Sequence, residues 1–146
     1  MSSQVIENHR ANAEIYSGAP ICIEKSRQLL DEISMPKGLL PLDDLVEVGY
    51  NRAAGFVWLR QSKSKQHRFN RIGKTVSYDK EVTAFVENRR MKKLTGVKSK
   101  ELLIWVTISE IFIDESNPDS ITFASSTGIS RTFPVSAFEL EEDGKK

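Results

Sequence analysis

From Gly38 onward the chain consists of short runs of alternating or β-branched apolar residues cut by turn formers, and no later segment has convincing helical spacing. Nothing else in the sequence constrains the fold as strongly. Val46, Val48 and Tyr50 alternate; GFVWLRQ, from Gly55, is an apolar run of buried character; TVSY and VTAFVE place apolar residues at every second position. LLIWVTISEIFI, from Leu102, is rich in β-branched and aromatic residues, and SITFASS and ISRTFPV follow across turns at NPDS and STG. Successive strand side chains point to opposite faces, so a period of two marks a strand with one face in a core. Six or seven such strands in about a hundred residues, joined by short polar turns, predict a mainly β fold, an antiparallel β-barrel or a two-sheet sandwich.

One amphipathic helix precedes the strands. APICIEKSRQLLDEISMP has Pro20 suited to a first helical turn, Cys22, Lys25 or Ser26, Leu29 and Ile33 near helical spacing, and Pro36 and Gly38 to stop it. Residues 1–18 are polar with scattered apolar positions and read as a flexible lead, at best a loosely attached helix; 19–140 form a single β-rich domain, and 141–146 a flexible charged tail. A chain of 146 residues suits one domain with a real core.

The net charge of +1 gives a weak overall field, so attraction for polyanions has to come from local clustering. A single cysteine, Cys22, excludes an internal disulfide and cannot supply a cysteine-rich zinc site; no metal and no cofactor are expected. No apolar run approaches the roughly twenty residues of a membrane-spanning helix. The N-terminal stretch lacks a secretory apolar region, and its Glu7 and Glu14 disfavour a transit peptide, so a cytoplasmic monomer is the expectation.

Arg60, Lys63, Lys65, Arg68, Arg71 and Lys74 lie together without an intervening acid. Lys63, Lys65, Arg68 and Arg71 are the candidates for holding an anionic surface. The plainer account is a solvated hairpin end, with strands Phe56–Arg60 and Thr75–Tyr78 flanking an exposed, mobile connection whose bases have no buried partner. Sequence-specific nucleic-acid binding is not expected. RAAGFVWL overlaps an RNA-recognition pattern but has Ala54 and Leu59 where stacking aromatics are needed, and RFNRIGKT has Arg68 where a phosphate loop needs its first glycine. GISRT, from Gly128, ends in Thr132 rather than the glycine of a nucleophile elbow, and His67 sits among bases that disfavour its imidazolium form. No catalytic residue is assigned.

MPKGLLP at Met35–Pro41, then VSYDKEVTAFV, LTGVKSKELLIWVTISEIFID and a terminal RTFPVSAFE together resemble the plant family catalogued as Domain of Unknown Function 538, over approximately Lys25–Leu140. The resemblance implies a small β-rich fold behind an N-terminal helix. It also implies the roles suggested for members: likeness to lipid-binding bactericidal/permeability-increasing proteins, binding or hydrolysis of chlorophyll, and action in stress responses. The chain departs from many members in lacking a secretory leader and in carrying Lys and Arg where they carry Cys after the Gly-Phe strand, which fits an intracellular branch. The resulting expectation is a noncatalytic protein binding an amphiphilic or apolar, lipid-like or chlorophyll-related ligand. Phe56, Trp58, Phe85 and Trp105 are candidates for the wall of its site, although the same aromatics also suit a plain core. The alternatives are an esterase-type hydrolase or a weak binder of anionic membrane or nucleic acid through the basic hairpin. The motif residues themselves are architectural: Pro36 and Pro41 fix φ around a turn, Gly38 and Gly96 can take positive φ, and Leu39 and Leu40 staple the helix exit to the sheet.

Overall fold

A computed structural model describes residues 2–140, with side chains from Gln4. In chain order the elements are α1 (Ser2–His9), β1 (Glu14–Ser17), α2 (Ala19–Glu32), β2 (Leu45–Asn51), β3 (Phe56–Gln61), β4 (Lys65–Phe69), β5 (Lys74–Glu87) and β6 (Arg90–Glu101). They continue with β7 (Ile104–Thr107), β8 (Glu110–Phe112), β9 (Ser120–Ala124), β10 (Ser130–Pro134) and a 3₁₀ turn at Val135–Phe138.

Two long strands organise the rest. Along one edge β5 pairs first with β4, from Phe69↔Lys74 to Lys65↔Tyr78, and then with β3, from Arg60↔Glu81 to Phe56↔Phe85. Its other edge pairs with β6, which in turn pairs with β8 near its start and with β7 near its end. The β5–β6 register breaks between Tyr78 and Thr83, where extra residues bend the ribbon and increase its twist. Gly96 is required at this bend: its φ is 83°, and a Cβ there would lie 2.2 Å from the Glu81 carbonyl oxygen.

Among the described residues all pairings are antiparallel, in one ten-stranded sheet of order β1-β2-β3-β5-β6-β8-β9-β10, with β4 along the first half of β5 and β7 along the second half of β6. The path is open rather than closed into the barrel that strand spacing suggested, and it is one bent sheet rather than two separate ones. Its concave face holds the main core. On β5 that face is Val76, Tyr78, Val82, Ala84 and Val86, the expected period of two, and α2 covers it with Cys22, Leu29 and Leu30.

The turn after α2 is locked by its backbone. Met35 N–H donates to the Leu30 carbonyl at 2.8 Å, Arg89 N–H to the Ile33 carbonyl at 2.6 Å, and the buried Tyr78 hydroxyl to the Leu39 carbonyl at 2.9 Å. Phe138 closes the opposite end of the core, its ring centroid 4.7 Å from Phe69 and 5.2 Å from Phe123. Gly38 passes so near that a Cβ would sit 2.5 Å from the Phe138 carbonyl oxygen. PKGLLP and FPVSAF, far apart in sequence, are therefore two sides of one contact.

The sheet's convex face has a cover that the sequence did not announce. Of the segment expected to be a flexible lead, residues 2–9 form α1 and 14–17 form the edge strand β1, giving two helices where one was expected. Ile6 is fully buried against Phe56 and Trp58, with Val5, Ala13 and Phe85 around them. The tail at 141–146 lies outside the described residues. Among the described residues no helix is long and apolar enough to cross a membrane, which says nothing of strands.

Candidate functional site

Three of the four aromatics expected to wall a ligand site come together, but under α1 rather than in the concave core. Phe56 and Phe85 have ring centroids 5.0 Å apart, and Phe56 and Trp58 6.0 Å. Trp58 lies across Gly49, and its indole N–H donates to Glu47 at 3.0 Å. Glu47 also takes a bidentate pair from Arg10, at 2.9 and 3.2 Å, and one bond from Arg60. Burial pushes the Glu47 carboxyl up, but the Arg10 and Trp58 bonds outweigh it and hold the group below the ordinary range. Trp105 is elsewhere, half-exposed on β7 beside Lys100.

The basic stretch is not the mobile, unpartnered connection expected of it. Its middle is β4, whose burial pattern turns Lys65, His67 and Phe69 inward and Gln66 and Arg68 outward. Phe69 anchors it, packed on Phe138. The Lys65 ammonium donates to the Pro41 carbonyl at 2.7 Å and pairs with Asp43 at 3.2 Å; Arg71 donates to the Ser136 carbonyl at 3.1 Å. Arg60 pairs with Glu81 and Lys74 with Glu101. No acid lies within the stretch itself; its acids arrive from the 37–43 loop and from other strands. Lys63, Arg68 and Arg71 are the exposed members.

Where β4 approaches α2 and the 37–43 loop, the surface opens into a groove of about 200 Å³. Its floor is Ile23, Leu40, Pro41 and Leu42, with Leu140 at one side; Arg27, Lys37 and Lys65 are its cations and Asp43, paired with Lys65, its acid. Helical spacing puts Ile23, Ser26 and Arg27 on one face of α2, and the turn bracketed by Pro36 and Pro41 carries Lys37 outward and Leu40 and Leu42 inward. The groove continues past Arg27 and Leu140 into a second concavity of about 310 Å³ lined by His67, Arg68 and Arg71, with Glu139 as its acid. Ser26, only 2 % exposed, lines the first groove, and among the described residues its hydroxyl has no hydrogen-bond partner. Buried hydroxyls are almost always paired, so this one marks a place for a polar atom.

The sequence profile of the family described as Protein of unknown function, DUF538, matches residues 26–139. The chain belongs to the DUF538 family. The DUF538 match takes in both motifs that meet at Gly38 and Phe138, every side chain lining the first groove except Ile23 and Leu140, and none of α1 or β1. No curated protein and no solved structure matches the chain.

Hydrolytic chemistry finds little support beside this groove. Ser130 is exposed at the start of β10, on a strand rather than at a strand-to-helix elbow. Burial pushes the Cys22 thiol up, opposite to what a nucleophilic thiolate needs, and its S–H donates to the Tyr16 carbonyl. Among the described residues no three His, Cys, Asp or Glu side chains are grouped to hold a metal. Ser26 was noted only as a position on the face of the helix, and Arg27 and Lys37 not at all, because the two cations are ordinary surface residues until the loop and β4 fold against α2.

Proposed function

We propose that this DUF538 protein is a noncatalytic binding protein for a single-chain anionic amphiphile, a fatty carboxylate or an alkyl phosphate, held in the groove between α2, the 37–43 loop and β4. The observation that carries this reading is the combination of an apolar floor, the Arg27 and Lys37 cations and the buried Ser26 hydroxyl within one concavity. Lys65 is already committed to Asp43 and Pro41, so Arg27 and Lys37 receive the head group. The alkyl chain lies along Ile23, Leu40, Leu42 and Leu140. The ligand reading moves away from Phe56, Trp58 and Phe85, which α1 covers tightly.

Burying about six methylenes contributes roughly 5 kcal/mol, and each exposed cation adds up to about 1 kcal/mol. These terms sum to at most about 7 kcal/mol, a dissociation constant of about 10 µM before the cost of association, so binding should fall between about 0.1 and 10 mM. Isothermal titration below the critical micelle concentration tests this with dodecyl phosphate, dodecanoate and dodecyltrimethylammonium. The two anions should bind saturably and the cation should not. An Arg27→Glu/Lys37→Glu variant should lose at least tenfold. Equal binding of the cationic amphiphile, or an unchanged double variant, overturns the assignment.

A further inference from the structure

The β6–β7 hairpin ends in an apolar tip that the fold does not use. The register Lys98↔Thr107, Lys100↔Trp105 and Glu101↔Ile104 leaves Leu102 and Leu103 as the two turn residues. Each is 92 % exposed, Ile104 is 60 % exposed and Trp105 39 %. Four consecutive large apolar residues in water are costly unless they serve a contact. The turn is also built against local preference: Leu102 takes φ 55°, a left-handed conformation that two-residue hairpins normally give to Asn or Gly. A Gly or Asn here would be more stable and more soluble, so neither stability nor solubility accounts for the leucines.

The charge around the tip is net positive. Lys98 and Lys100 are exposed on the same face of β6 as Trp105 on β7, with the Lys100 ammonium 5.8 Å from the Trp105 ring centroid. Glu101, the acid at the base of the turn, is shared by Lys74 at 2.8 Å and Arg131 at 3.2 Å. Glu101 is thus neutralised by two cations, and Lys98 and Lys100 stand on the Trp105 face with no acid paired to them among the described residues. Ile129, from the neighbouring β9–β10 turn, lines the same crevice as Glu101 and Val106 and adds to the apolar end.

We propose that Leu102–Trp105 is a membrane-interface anchor: the two leucines and Ile104 enter the acyl boundary of an anionic bilayer, Trp105 sits at headgroup level, and Lys98 and Lys100 lie against the anionic headgroups. A bilayer is the occupant because the feature is a convex hairpin end, with an aromatic beside aliphatic residues and a cationic collar behind them. That order matches the depth profile of a membrane interface, where Trp is enriched and basic residues meet anionic lipid. A groove-binding partner helix would instead need a concave apolar site on this chain.

Sedimentation with vesicles tests the proposal, using phosphatidylcholine with and without an equal part of phosphatidylglycerol, at low and physiological salt. The full chain should sediment with the anionic vesicles, weakly or not at all with pure phosphatidylcholine, and less as salt rises. Trp105 emission should shift to the blue on binding. A Leu102→Ser/Leu103→Ser variant should lose at least tenfold in partitioning with an unchanged unfolding midpoint, since both side chains are exposed. Lys98→Gln/Lys100→Gln should lose the preference for anionic lipid. The Arg27→Glu/Lys37→Glu variant should still sediment, which separates this anchor from the groove. Absence of sedimentation by the parent chain, or equal partitioning of the double-serine variant, overturns the proposal. So does a parent dimer in light scattering that the serines abolish without any vesicle binding, which would make the tip a contact between two copies.

Discussion

Replacing Ile6 with Ala tests whether the segment before α2 is part of the fold. Ile6 is fully buried in the cluster with Phe56 and Trp58 on the convex face of the sheet. Removing three carbons costs about 2.4 kcal/mol of transfer free energy, at roughly 0.8 kcal/mol each. The residual cavity raises the usual range for such truncations to about 2–5 kcal/mol. The eight-residue α1 has no stability of its own in water, so it holds its place only through this packing. Part of the cavity can therefore collapse or flood, and a loss of about 3 kcal/mol is expected. With a urea dependence of about 2 kcal/mol per molar, the unfolding midpoint falls by about 1.5 M. Native emission should also shift to the red, because Trp58 gains water while the half-exposed Trp105 already has it. Leu103→Ala, at an exposed site, serves as the control and should move stability by about 0.5 kcal/mol or less. An Ile6→Ala midpoint within about 0.3 M of the parent, with unchanged emission, would refute the packing of α1 on the sheet.

Three further perturbations probe other parts of the account. Gly49→Ala places a Cβ 2.1–2.4 Å from atoms of the Trp58 ring, forcing the indole aside and breaking its bond to Glu47. About 3 kcal/mol or more should be lost, with collapse of the near-ultraviolet tryptophan signal, and a wild-type melting temperature would contradict this. The folded Glu47 carboxyl is held below its unfolded value, so its contribution is present above about pH 4.3 and is lost as the pH falls through the folded value. Glu47→Gln should accordingly be less stable than the parent at pH 7 yet show a smaller drop between pH 5 and 3; parallel urea midpoints would count against the Arg10–Glu47–Arg60 cluster. In the basic stretch, Lys65→Gln should cost about 1 kcal/mol because it frees Asp43 and the Pro41 carbonyl, while Lys63→Gln should cost nothing measurable by chemical denaturation.

The strands legible in the sequence are those whose alternation is unbroken, and the missing ones are those where it breaks. On β6 the inward residues are Met91, Leu94, Val97 and Ser99, a period of two interrupted near Lys93, with φ 50°, and Gly96, with φ 83°. A charged strand with two irregularities carries no pattern, although it pairs along its whole length. β4 is nearly all polar, and only Phe69 betrays its attachment. LLIWVTISEIFI reads as a strand stretch rich in β-branched and aromatic residues, but the chain reverses at its first two residues, Leu102 and Leu103, without any Gly, Pro or Asn to mark the turn. One signal for α1 was present and unused. Phe56, Val57, Trp58 and Leu59 are apolar without alternation, so both faces of β3 need cover, and α2 can supply only one. The groove was hidden for another reason: Arg27 and Lys37 acquire a common purpose only when Gly38 meets Phe138 and β4 closes beside them, a relation of distant segments that no local spacing records.

The amphiphile site is tested most directly by following every backbone amide of the ¹⁵N-labelled chain during titration with dodecyl phosphate below its critical micelle concentration. Binding in the groove requires saturable shifts at Ile23, Ser26, Arg27, Lys37, Leu40, Leu42 and Lys65, sharing one dissociation constant, with the indole N–H of Trp58 unmoved. Shifts centred on Phe56, Trp58 and Phe85 instead, or no saturable shift at all, would contradict it.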